Sequence, residues 1–170
     1  QGPIFATEKK LQDAFAGESQ ANRRYLFFAD KAEQESLPRV ARLFRAAAEA
    51  ETVHARNHFA AMDGVGSTKE NLLAASIGEH YEYTRMYPPY IDKAASENNK
   101  RAQVSFEYAN EVEHIHHNYF EEALKAVEAG RELRDEPYFV CQVCGNTVVG
   151  AAPARCLICG APRSPFKQVE

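Results

Sequence analysis

The first 140 residues contain no cysteine, and all four that the chain has, Cys141, Cys144, Cys156 and Cys159, stand in the last 30. Such crowding points to a bound metal more than to disulfides. Positive charge is short as well. Twenty Lys and Arg against 24 Asp and Glu leave a net charge of -4, so no broad basic surface suggests nucleic acid or an anionic membrane, and neither is expected as a partner. No apolar run approaches the roughly 20 residues needed to span a bilayer, and no basic, apolar, small-residue leader precedes the first helical pattern. A cytoplasmic protein is the expectation. An initiating Met is missing too, and Gln1-Gly2-Pro3, which start no pattern, read as the remnant of a cleaved tag.

What is present is an ordinary globular composition, 45% hydrophobic and 26% charged over 170 residues, enough for one good core and a small appendage. Apolar positions recurring at three and four residues predict four long helices, at about 7–35, 38–62, 69–96 and 100–129. Thr7 is a plausible N-cap for the first and Gly130 a natural stop for the last. Pro88-Pro89 should bend or interrupt the third, because an internal proline removes a helical hydrogen bond. After Gly130 a charged linker, "GRELRDEP", leads to short apolar runs separated by Gly and Pro. The domains are expected at 1–135, a helical body, and 136–170, a small metal domain.

The helices contain a repeat. Gly17-Glu18 is matched by Gly78-Glu79, and an Arg follows each Glu by six residues, Arg24 and Arg85. Phe44 precedes Glu51 by seven residues as Phe106 precedes Glu113, and each Glu has a His three later, His54 and His116. The spacing from Glu18 to Glu51 is 33 and from Glu79 to Glu113 is 34, so two helical hairpins carry the same chemistry.

The stretch "EVEHIHH" offers two Glu-x-x-His pairs, and helix phase separates them. On the apolar stripe through Ala102, Phe106, Ala109, Val112, Phe120 and Ala123 fall Glu113 and His116; Glu111 and His114 share a face with Glu107 and Asn118 that reads as solvated. The same test places Glu18 with Leu11, Phe15, Tyr25 and Phe28. It places Glu51 and His54 with Leu43, Phe44 and His58, and Glu79 and Glu82 with Leu72, Leu73, Ser76 and Met86. Burying so many carboxylates together is costly without a compensating cation. For any one of them, pairing with Arg24 or Arg85 is the simpler explanation. Recurrence in phase on four helices favours instead a carboxylate-bridged pair of metal ions, for which one Glu from each of two helices and a Glu-x-x-His from each of the others is a known recipe, with Glu51 and Glu113 placed to bridge. Oxygen-rich ligation with one imidazole per metal suits iron or manganese better than structural zinc. Tyr25 and Tyr87 lie one or two turns from Glu18 and Glu82, where either core packing or catalysis accounts for them; His58, His80 and His117 have no assigned role.

"CQVCG" and "CLICGAP" each hold two thiolates on a tight turn, with Gly145 and Gly160 freeing backbone amides to face sulfur. Together they make a tetrahedral four-cysteine site. Structural zinc and a one-electron iron centre use the same ligands, and the spacing does not separate them.

With both sites placed, "AFAGESQANRRY", "EAETVHARNHF", "GEHYEYTRMYP" and the pair "CQVCG", "CLICGAPRSPF" closely resemble the rubrerythrin family over residues 6 to 170. The resemblance implies a mainly α fold, a ferritin-like four-helix bundle followed by a small rubredoxin-like β domain. It implies a peroxidase that protects against oxidative stress: a di-iron centre reduces hydrogen peroxide to water, and a rubredoxin-like iron relays electrons drawn from a rubredoxin or an NAD(P)H-dependent reductase. It assigns Glu18, Glu51, Glu79, Glu82, Glu113 and His116 to two non-haem iron ions, and His54 to the histidine that replaces a glutamate, by position Glu82, when the iron is reduced. Tyr25 and Tyr87 match tyrosines near the cluster. Cys141, Cys144, Cys156 and Cys159 match the ligands of the third iron, a site that zinc can take after expression in a foreign host. Asn146 departs from the pattern, standing where an aromatic residue often follows "CxxCG", which bears on exposure of that iron and not on its ligation.

The connection between the second and third helices also departs. In a ferritin-like bundle these helices run parallel, so the link must travel about 30 Å for 20 helical residues. The six residues "DGVGST" reach at most roughly 20 to 25 Å. A domain-swapped homodimer is therefore expected, each bundle built from the first hairpin of one chain and the second hairpin of its partner.

Overall fold

The computed structural model describes residues 6–169; the tripeptide read as a tag remnant lies outside them. The chain is mainly α with a small C-terminal sheet. Its elements are α1 (Ala6–Gln34), α2 (Pro38–Ala61), α3 (Thr68–Tyr81), a π segment (Glu82–Met86), α4 (Tyr87–Ser96), α5 (Lys100–Glu128), β1 (Tyr138–Cys141), β2 (Thr147–Val149) and β3 (Phe166–Val169). The described residues fall into two compact units that divide between Gly66 and Ser67. Among them, no helix is long and apolar enough to cross a membrane.

In the first unit α1 and α2 form a hairpin. Ala29, Ala32 and Ala41 are buried against Phe44, and such small side chains let the two backbones approach closely. Nearer mid-helix Asn22 ties the pair together, its Nδ2 donating to the Ala48 carbonyl at 2.7 Å and to Thr52 Oγ1 at 2.9 Å. Gly64, just past α2, lies so close to the Phe59 ring that no Cβ would fit.

In the second unit α3, the π segment and α4 run as one interrupted helix packed on α5. Ser67 opens α3 with a capping box: its hydroxyl accepts from the Glu70 backbone N–H while the Glu70 carboxylate accepts from the Ser67 N–H. The third predicted helix is interrupted as the prolines imply: the break is the π segment Glu82–Met86, which holds the carbonyls of Thr84 and Arg85 that the missing N–H groups of Pro88 and Pro89 leave without their α-helical donors. The Tyr87 N–H instead bonds the Glu82 carbonyl five residues back, a single π turn beginning at one of the predicted site residues.

All four hairpin helices end alike. Ser36, Asp63, Asn98 and Gly130 adopt φ of 59°, 52°, 55° and 67°. In each case the next N–H reaches back five residues, as Leu37 does to Ala32 and Arg131 to Ala126, closing a Schellman cap. Beyond Gly130 the strands form an antiparallel sheet in the order β2-β1-β3, with Tyr138 opposite both Val149 and Val169.

Candidate metal centres

Three groups of ligand-bearing side chains gather, and two echo each other. In the first unit Glu18, Glu51 and His54 converge with ligand atoms within 4.8 Å of one another. His54 Nδ1 lies 2.9 Å from Glu51 Oε2 and 4.0 Å from Glu18 Oε1. In the second unit Glu79, Glu113 and His116 do the same: His116 Nδ1 lies 3.1 Å from Glu113 Oε2 and 3.7 Å from Glu79 Oε1. In both, a Glu-x-x-His on the later helix of the hairpin turns Nδ1 toward a Glu from the earlier one.

Glu82, at the head of the π segment, joins the second group electrostatically. Burial and the Glu113 charge raise its carboxyl above the usual range. Tyr87 is within the same field; burial and the charges of Glu113, Glu82 and Glu79 push its hydroxyl up, and its ring packs near Phe106 and Tyr90. Tyr25 packs against Phe28 and Phe44. Glu111 and His114 are exposed, with His114 stacked on Tyr83 at 4.5 Å. Of the histidines without an assigned role, His117 has Nδ1 at 3.2 Å from the buried Ser76 hydroxyl, which itself donates to Glu121.

The donor set fits bound cations. Glu79 is held at about 9, chiefly by burial and then by Glu113, so at neutral pH without metal it carries a proton. Its Oε2 is also buried without any hydrogen-bond partner. Glu113 is lowered, because hydrogen bonds from His116 and Glu79 outweigh its burial. Glu18 is raised by its hydrogen bond with Glu51, and Glu51 is correspondingly lowered by Glu18 and His54. Carboxylates forced to share protons this way are the arrangement that a multivalent cation relieves.

The sign of this effect gives a prediction. A carboxyl whose folded value is about 9 against an ordinary 4.5 favours the metal-free fold at low pH and disfavours it progressively as pH rises between those values. Metal-free protein should therefore melt at lower temperature at pH 8.5 than at pH 6. Glu79→Gln should remove most of that slope in thermal scans of the metal-free protein; an unchanged slope would clear Glu79 of the effect.

The third group is the four cysteines, all with free thiols. Cys141 Sγ lies 3.8 Å from Cys159 Sγ, and Cys144 Sγ 3.5 Å from Cys156 Sγ. These separations are far beyond a disulfide and close to the edge, roughly 3.8 Å, of a tetrahedron with metal–sulfur bonds of about 2.3 Å. The two knuckles are related: the Gly145 N–H donates to the Cys141 carbonyl and the Gly160 N–H to the Cys156 carbonyl, with both glycines at positive φ. Burial raises the Cys144 thiol. Burial also acts on Cys156, but the backbone N–H groups of Cys159 and Ile158 outweigh it and bring that thiol down to about 6.

Asn146, the departure noted in the sequence, proves to be 2% exposed, and its Nδ2 donates to Cys156 Sγ at 3.5 Å. An N–H···S bond favours the reduced, more negative state of a sulfur-bound iron. If that preference is about 1 kcal/mol, it amounts to roughly 40 mV for one electron. Asn146→Leu should accordingly lower the midpoint potential in a redox titration; a potential that stays put or rises would contradict the role.

Comparison with known proteins adds to this geometry. The family model for rubrerythrin matches residues 9–124. Rubrerythrin-2 of Clostridium acetobutylicum is 33% identical, with 92% of this chain and 93% of the relative covered. A rubrerythrin of Porphyromonas gingivalis is 36% identical, covering 96% of this chain and 90% of its own. Among solved structures, nigerythrin in its fully reduced, all-ferrous state matches with a TM-score of 0.57 and 29% identity, covering 99% of this chain and 89% of that one.

Proposed function

Because the chain belongs to the rubrerythrin family, whose members carry a di-iron domain and a rubredoxin-like cysteine site, we propose that it is a peroxidase reducing hydrogen peroxide to water in defence against oxidative stress. The observation that carries this reading is the joining, in one chain, of two repeated carboxylate–imidazole groups to a four-sulfur site. Bound there, a ferrous pair supplies the two electrons that, with two protons, convert one peroxide to two waters, and sulfur-bound iron returns electrons singly.

The chain's own residues supply the rest. Glu18, Glu51, Glu79, Glu113 and His116 would hold the two ions. Glu82 and His54 are the exchangeable positions. Glu82 heads the π turn, where the backbone bonds are longest in register, and His54 is the more exposed of the two paired imidazoles. Tyr87 holds its proton at neutral pH, on a phenol beside the carboxylates where oxygen would be reduced. A rubredoxin or an NAD(P)H-dependent reductase feeds the four-cysteine site, and a cytoplasmic setting belongs to the same reading.

The assembly belongs to the same proposal. The connector between α2 and α3 holds six residues, and each hairpin leaves large apolar side chains uncovered: Leu43 on α2 is 69% exposed and Ile77 on α3 is 61%. A domain-swapped homodimer covers such faces and completes each cluster with Glu18, Glu51 and His54 from one subunit and the Glu79 group from the other.

Limiting peroxide added anaerobically to reduced, iron-loaded protein tests the reaction. The red ferric-thiolate absorption should return within the mixing experiment, and about a hundredfold or more slowly in Glu51→Ala, at least the scale on which supporting residues of metal sites act. Return of the colour at equal rates in both proteins would mean that the sulfur site reacts with peroxide directly.

A further inference from the structure

One hydrogen-bond chain links the second carboxylate group to the cysteine domain, and both ends lie in the same compact unit. His116 presents Nδ1 to Glu113 and Glu79, while its other nitrogen, Nε2, lies 2.8 Å from Thr147 Oγ1. Thr147 is the first residue of β2, three positions past Cys144. Its hydroxyl proton is already committed, for Oγ1 donates to the Gly145 carbonyl at 3.1 Å. An oxygen that spends its single proton on a carbonyl meets the imidazole only as an acceptor. In the metal-binding form of His116 the proton therefore sits on Nε2, and Nδ1, which faces the carboxylates, has a lone pair to offer a cation.

Thr147 is itself held from several sides. The Tyr119 hydroxyl on α5 donates to the Thr147 backbone carbonyl at 3.2 Å. The Tyr119 ring meets Tyr138 of β1 edge-on at 6.0 Å. Val112, buried on α5 one residue before Glu113, stands 3.9 Å from where a Gly145 Cβ would be. The turn that carries Cys144, Gly145 and Thr147 is thus seated on the face of α5 that carries the Glu113–His116 pair.

We propose that Thr147 is a positioning residue for the carboxylate metal centre: from within the cysteine domain, its hydroxyl fixes the tautomer and ring orientation of His116 so that Nδ1 is the nitrogen offered to metal. The inference rests on the proposed assignment of His116 as a ligand. Metal-binding imidazoles commonly need such an acceptor behind them, and its loss typically weakens metal affinity by about 10- to 100-fold. The unusual part is the source. Here the acceptor comes from the other metal domain, so the Cys144 turn and the His116 ring are joined by two hydrogen bonds and no intervening side chain except Thr147.

The experiment compares the full-length protein with Thr147→Val and Thr147→Ser. Anaerobic equilibrium dialysis gives Fe(II) affinity at the carboxylate centre, and nitrogen-15 spectra of the zinc-loaded, diamagnetic protein follow the His116 Nε2–H and its exchange with water. Valine, which keeps the shape without the acceptor, should weaken Fe(II) binding 10- to 100-fold and expose the Nε2–H to rapid exchange; serine should restore both. The ferric-thiolate spectrum should be the same in all three, which separates positioning from collapse of the small domain. Wild-type affinity and wild-type Nε2–H protection in Thr147→Val would overturn the proposal, as would serine failing to rescue. Neither readout uses peroxide, so failure of the peroxidase reading would leave them unmoved.

Discussion

Equal amounts of a Glu51→Ala chain and a Glu113→Ala chain, iron-loaded after being unfolded and refolded together, should recover about a quarter of wild-type peroxide reduction, although each alone recovers almost none. The figure follows from the proposed swapped dimer. Random pairing makes half the dimers mixed. In a mixed dimer one bundle collects both damaged hairpins, and the other collects the intact first hairpin of one chain and the intact second hairpin of the other. Half the sites in half the dimers are whole. Were each bundle built from a single chain, every site would carry one damaged ligand and the mixture would stay as inactive as its parts. Mixing the folded variants without unfolding supplies the control, since preformed dimers have no reason to exchange helices within the assay.

The other large effect is expected at Cys156. Among described residues of the small domain, the buried side chains are Cys141, Cys156 and Asn146, so two of its three innermost groups belong to the four-cysteine cluster and the third bonds to a sulfur of it. A segment with three short strands and so little apolar core would depend on a bound metal, and structural zinc in zinc-finger peptides supplies about 10–16 kcal/mol toward folding. Cys156→Ser should strip that contribution. Amide exchange across β1, β2 and β3 is expected to become fast while α1, α2 and the body of α5 keep their protection, and steady-state peroxide reduction should fall at least about a hundredfold. Protected strands in the metal-free variant would show a stability that the packing described above does not supply.

Much of this architecture is legible in the sequence, for reasons that can be named. The period of the apolar positions gives the helices nearly to their ends, because Pro38 and Gly130 are chemically suited to a start and a stop. The same period separates Glu113 from Glu111 and His116 from His114, and the exposure of Glu111 and His114 agrees with it. Other features leave a weaker mark. The box at Ser67 and Glu70 is written plainly as "STKE", a signal available to sequence reasoning and passed over in it. The left-handed caps at Ser36, Asp63 and Asn98 lack the glycine that would advertise them. A π turn has no composition of its own, and only Pro88-Pro89 just past it mark where the helix is interrupted. Asn146 is visible as a departure, but its bond to sulfur is not. Thr147 is invisible because its role exists only once β2 has docked on α5, 31 residues away from His116 along the chain.

The π turn also accounts for the one-residue offset between the two hairpins. Glu18 to Glu51 is 33 residues and Glu79 to Glu113 is 34, and the odd residue can be located. Both connectors are three residues long with a left-handed residue in the middle, Ser36 in one and Asn98 in the other. From the first residue of the later helix to its Glu is 13 in both, Pro38 to Glu51 and Lys100 to Glu113. The difference lies wholly before the connector, where Glu18 to Gln34 is 16 and Glu79 to Ser96 is 17, and the π turn is the device by which a helix absorbs one residue without unwinding. The two hairpins thus differ in length between their matching glutamates by a single residue. The helix takes up that residue at the end of the π segment, past Arg85, which still keeps the six-residue spacing that Arg24 has from Glu18; Glu82, at the head of the segment, is the carboxylate of the second metal group with no counterpart in the first, where the matching position is Ala21.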